Sequence, residues 1–122
     1  MRRREFEKLI LEVVAELPPE FQQHIHNLDI VVKWRPSPAE LRRAGLRYGG
    51  TLFGLYLGVP LTRRGAHYNM ALPDKIVIYQ EPHERLYASP QEMAQQVRQT
   101  LLHEIGHYMG IDEKRLRELG VG

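Results

Sequence analysis

The chain is 122 residues long, the size of one domain, with 43% apolar and 26% charged residues. By the area scaling laws, a chain of this mass exposes roughly 20,000 Å² unfolded and about 7,000 Å² folded. It can therefore bury an ordinary core, and disordered, collagen-like and low-complexity classes are excluded. There is no cysteine, which removes disulfides, thiolate metal sites, iron–sulfur clusters and thiol nucleophiles; any metal must be held by His, Asp or Glu.

The net charge is +2. Residues 1–61 hold 9 basic against 7 acidic side chains and residues 62–122 hold 8 against 8, so no basic block signals a nucleic-acid surface. No apolar run reaches the ~18 residues of a membrane span. Glu5, Glu7, Glu12 and Glu16 interrupt the apolar stretch near the start, and no small-residue cleavage site follows. The expectation is a cytoplasmic protein without a membrane segment.

Along the chain, Phe6, Leu9, Ile10, Val13, Val14 and Leu17 recur at helical spacing and predict a helix over residues 3–17. Pro18 and Pro19 end it, and Pro19 can open a second short helical stretch to about residue 27, with Phe21 and Ile25 inward. The β-branched run 28–34 reads as a strand, and residues 38–44 as one or two helical turns. Residues 51–57 read as a strand in which Gly54 marks a bulge or a close backbone neighbour. Residues 58–74 form a long loop of the kind that often carries function. Residues 75–80 are the best strand, closed by Pro82, with His83 in a turn. Ser89, Pro90 and Glu92 form the N-cap, first position and capping-box partner of the clearest helix, which runs to about Met109 and stops at Gly110. A short terminal helix follows from Asp112 to about Leu119. Early strands and a late main helix indicate an α+β fold, a small sheet packed on one helix.

That helix carries His103-Glu104-Ile105-Gly106-His107, the HExxH pattern of zinc hydrolases. At about 100° per residue, the two histidines lie about 40° apart and one turn apart in height, so both imidazoles can reach one metal ion. Glu104 lies on the flank, placed to take a proton from a metal-bound water rather than to be a primary ligand. Val97, Leu101, Leu102, Ile105 and Tyr108 fall on the opposite side, so the histidine face looks into a polar cleft.

Catalytic zinc ordinarily takes three protein ligands and keeps one open position. Only 15 residues follow His107, too few for a ligand on another long helix. Gly110 lets the chain reverse, and Asp112, five residues after His107, is expected to return as the third ligand, the whole being read as HExxHxxGxxD. The other role open to Asp112 is N-cap of the terminal helix, with Glu113 adding charge to its first turn.

Residues 103–120, HEIGHYMGIDEKRLRELG, resemble the ending of the small bacterial zincin-like metallopeptidases. Residues 54–62 and 72–79 resemble that family's internal motifs, so the likeness covers roughly residues 50–120. It implies a compact minimal zincin fold, one zinc ion and a zinc-dependent peptidase acting on a protein or peptide. In such an enzyme Glu104 is the general base and then the proton donor to the leaving amine. His67 and Tyr68, in the long loop, are the candidates for a second electrophile beside the oxyanion.

Other residues carry less. His24 and His26 point to different sides of a helix, Arg2 to Arg4 read as a solvated terminus, Trp34 as core or rim packing, and Tyr56 as cleft lining or core. The competing reading is a zincin-fold module that recognises another protein with weak or no proteolysis, against which the intact Glu104 argues. Deformylase chemistry needs a Cys ligand that is absent.

Overall fold

The computed structural model describes residues 1–46, 50–63 and 74–120. Helix α1 spans Arg3–Ala15, α2 Pro19–Gln22, α3 Pro38–Arg43, α4 Gln80–Leu86, α5 Pro90–Tyr108 and α6 Glu113–Glu118; strand β1 spans Leu28–Lys33, β2 Gly54–Leu57 and β3 Asp74–Tyr79. The three strands form one sheet in the order β1-β3-β2, with β1 parallel and β2 antiparallel to the central β3. This is the expected α+β architecture, a small sheet lying on a long helix. Among the described residues no helix is long and apolar enough to cross a membrane.

Alternation along the strands divides the core in two. Leu28, Ile76 and Ile78, with Ile30, Val32 and Tyr56, face α1 and α5, where they meet Phe6, Ile10, Val97, Leu101 and Ile105. Val77, Tyr79 and Leu55 face the other way, against Val31, Ala44 and Leu52. The α1 stripe is the one the periodicity predicts: Phe6, Leu9, Ile10, Val13 and Leu17 are buried, although the helix itself ends at Ala15. Phe21 and Ile25 are partly buried against the same cluster.

Ser37 caps α3 with a full reciprocal box: its hydroxyl accepts from the Glu40 N–H and Glu40 accepts from the Ser37 N–H. Glu40 also takes the Tyr79 hydroxyl at 2.6 Å and the Lys33 ammonium at 3.3 Å. Burial pushes the Glu40 carboxyl up, but the bonds from Tyr79, Ser37 and Lys33 outweigh it and hold the pKa at about 2 rather than 4.5. A depressed carboxylate contributes stability that is complete above its unfolded pKa and lost as pH falls through its folded one. The wild type should therefore lose melting temperature between about pH 4.5 and pH 2. Glu40→Gln should melt lower at neutral pH, with the gap closing across that window. Parallel melting curves for the two proteins down to pH 2 would refute the coupling.

One element differs from the sequence reading. Pro82 does not close β3 in a turn; it is the third residue of α4. Proline is tolerated there because backbone N–H groups of a first helical turn have no intrahelical acceptor. His83 is consequently fully buried, with Nδ1 2.6 Å from the Tyr79 carbonyl and its ring packed on Phe6 and Phe53. Burial lowers its pKa, opposed by the bond to Tyr79, so the ring packs as a neutral aromatic. Trp34 is half exposed, at the rim.

Candidate metal centre

α5 begins at the N-cap its sequence marks, with the Ser89 half of the expected box. Ser89 accepts from the Glu92 N–H at 3.2 Å and Pro90 occupies the first position. Its apolar side, Met93, Val97, Leu101, Leu102, Ile105 and Tyr108, is buried. Its other side crosses β2 at Gly54, where an added Cβ would lie 2.5 Å from Thr100 Cγ2 and 3.0 Å from the Val77 carbonyl oxygen. Gly54 is thus the close-approach position that its place in a strand pattern predicts, and it brings β2 against the histidine-bearing end of the helix.

There the Tyr56 N–H donates to Glu104 Oε1 at 2.8 Å. The bond ties the buried Glu104 carboxylate to the strand and fixes its orientation. Glu104 Oε1 is also 3.4 Å from His107 Nδ1, and its Oε2 is 3.9 Å from His103 Nε2. One donor atom from each of His103, Glu104 and His107 lies within 4.8 Å of the others, a grouping able to hold a metal ion. Both histidines lie near the C-terminal end of α5, the end at which the helix dipole favours a cation.

The helix ends in a Schellman turn. Gly110, at φ +88°, sends its N–H to the His107 carbonyl and Ile111 its N–H to the Gly106 carbonyl. The chain then enters α6, whose N-cap is Asp112: Oδ1 accepts from the Arg115 N–H at 2.8 Å. An N-cap side chain folds back on its own helix, whereas the next residue projects outward. That next residue is Glu113, and its Oε1 lies 3.1 Å from His103 Nε2 and 2.7 Å from His107 Nε2.

Glu113, and not the expected Asp112, is the carboxylate that lies beside the two imidazoles. Counting finds it: after Gly110 the two x positions of HExxHxxGxxD are Ile111 and Asp112, so the last place of the pattern is 113, and there the chain has Glu. Asp112 stands one position short, and the cap it forms aims Glu113 at the imidazoles.

Glu104 and Glu113 flank His107 from its two ring nitrogens. Glu104 first, against some loss from burial, and then Glu113 raise its pKa above the ordinary 6.5. Burial pushes the Glu113 carboxyl up, but the charges of His103 and His107 win and lower it.

A metal fits this arrangement. Both Nε2 atoms converge on a single carboxylate oxygen, and ligands on one tetrahedral zinc stand about 3.3 Å apart. The observed 3.1 and 2.7 Å are a small side-chain rotation from that.

Two hollows flank the imidazoles. One, of about 210 Å³, is lined by residues 51–54 with Gln96, Thr100, His103 and Glu104. The other, of about 380 Å³, is lined by Tyr56, Thr62, Arg63, His107, Asp112 and Glu113 among others. Tyr56 is both cleft lining and core packing, with its hydroxyl donating to the buried Asp74 at 2.7 Å. His24 packs edge-on against Tyr108 and takes no part in the histidine group. His67 and Tyr68 lie outside the described residues.

A sheet lying on a helix that presents two histidines and a glutamate to an open cleft defines a zincin-like protein. The chain belongs to the zincin-like metallopeptidases, whose family model matches residues 25–122. No curated protein matches it. A conserved hypothetical protein of Thermo thermophilus is structurally similar, with a TM-score of 0.56 at 22% identity over 98% of this chain and 97% of that one, a likeness of fold.

Proposed function

We propose that the protein is a zinc-dependent peptidase, with one zinc ion held by His103, His107 and a carboxylate from the start of α6. The observation that carries this reading is the convergence of both Nε2 atoms on one oxygen of Glu113; it supports Glu113 over Asp112 as the third ligand. Zinc bound there would acidify a water and polarise the scissile carbonyl. With two neutral imidazoles and one carboxylate, the net charge of the site is about +1, lower than with three histidines, so the base has more to do.

Glu104 is that base. Its carboxylate is buried, held by the Tyr56 N–H and directed at the cleft beside both imidazoles. It takes the proton of the attacking water and passes it to the leaving amine. The hollows on either side of the imidazoles leave room for substrate on both sides of a scissile bond, which supports an extended peptide as substrate.

The test is hydrolysis of an unfolded, casein-like protein by the zinc-loaded chain, removed by chelation and restored by zinc. Bound zinc without hydrolysis across broad peptide libraries would replace the peptidase with a protein-recognition module built on the same fold. The main core cluster, from Phe6 to Tyr108, is assembled from α1, α5 and the sheet and needs no metal to close. The chelated protein should therefore remain folded, with zinc adding stability by mass action. Loss of cooperative unfolding on chelation would contradict this.

A further inference from the structure

α6 has six residues and one buried side chain, Leu116. That side chain fills a notch in α5. A Cβ added to Gly106 would lie 2.5 Å from Leu116 Cδ2, so an alanine there makes that terminal methyl shift, while Cγ at 3.5 Å stays in ordinary contact. Measured around α5 from His103, His107 lies near 40°, Glu104 near 100° and Gly106 near −60°, on the ~100° step of the helix. The imidazoles therefore face the cleft between two flanks. Glu104 holds the flank toward β2, and Gly106 receives α6 on the other.

Glu113 and Leu116 are three residues apart and share one face of α6. The Glu113 side chain is 56% exposed, so packing around the carboxylate does little to place it. Its position comes from the backbone of α6, which is held by the Asp112 cap, by Leu116 and by the Schellman turn closed on the Gly106 carbonyl.

We infer that the Gly106 notch and Leu116 set Glu113 against His103 and His107, Leu116 being a positioning residue for the third metal ligand. The inference rests on the metal-site reading above and assigns a function to the second x of HExxH: it must be small because a helix docks on it.

The test uses Co²⁺ as a spectroscopic substitute for zinc in the full chain. The readouts are affinity by chelator competition and the intensity of the visible d–d bands, which reports coordination and which a purely structural defect would not change in folded protein. Gly106→Ala should weaken binding by about 10- to 100-fold, the usual cost of losing a support behind a metal ligand, and move the spectrum toward that of Glu113→Gln. Adding Leu116→Val, which removes the methyl an alanine would meet, should recover affinity. Should Gly106→Ala not fold, Leu116→Ala reports from the other side of the contact and should show the same loss.

Wild-type affinity and spectrum in Gly106→Ala or Leu116→Ala, with binding lost in His103→Ala, would overturn the positioning role and leave the metal site standing. Equal affinity in wild type and His103→Ala would instead remove the metal site, and this inference with it.

Discussion

Glu104→Gln is expected to keep its metal, keep its melting temperature and lose hydrolysis by about 10² to 10⁴-fold, the ordinary contribution of a positioned base. The substitution preserves volume. The amide oxygen can still accept the Tyr56 N–H that holds Oε1 in the wild type at 2.8 Å, so the link between α5 and β2 survives. What is lost is proton affinity beside the cleft. Metal content and melting of the variant need measuring alongside the rate, because only a rate change at constant metal assigns the role to proton transfer. Undiminished hydrolysis would sink the mechanism.

The parts of the fold that were legible are those written in local sequence. The stripes of α1 and α5 come from side chains three and four apart, and the Ser89 cap and the Gly110 stop are each specified within a few residues. α4 was not legible, because Pro82 can terminate a strand or sit in a first helical turn with equal local ease. What decides is tertiary: burial of His83 between Phe6 and Phe53, residues distant in sequence.

The site divides in the same way. HExxH fixes two imidazoles and a carboxylate through the geometry of one helix, and the structure groups those three side chains. Which carboxylate joins them, and so the proposed third ligand, depends on how the next helix begins. Two adjacent acidic residues are equally attractive by type, and only the capping geometry separates them. Asp112 turns inward to the Arg115 N–H and Glu113 outward to the histidines. The Tyr56 N–H on Glu104 had no sequence signal at all, since a backbone donor on a strand 48 residues earlier carries no side-chain signature.

Zinc stoichiometry across five variants should resolve the ligand set. His103→Ala and His107→Ala are expected to lose the metal, because each removes one of the two nitrogen donors of the proposed ligand set. Glu113→Gln should weaken binding strongly, by about 10²-fold or more, since a neutral amide replaces the sole anionic ligand. Asp112→Asn should retain zinc to within a few-fold, because asparagine caps a helix as well as aspartate does and α6 keeps its start. Asp112→Ala should cost more than Asp112→Asn, through loss of the cap and drift of Glu113. The reverse order, with Asp112→Asn emptying the site and Glu113→Gln leaving it full, would return the third ligand to Asp112. Proton competition gives a second handle. His107 between two carboxylates holds its proton above the ordinary 6.5, and a metal must displace that proton to bind. Wild-type zinc affinity should therefore fall as pH is lowered, beginning above the range of an ordinary histidine. In Glu113→Gln the fall should begin at lower pH, because one of the charges that raise His107 is gone.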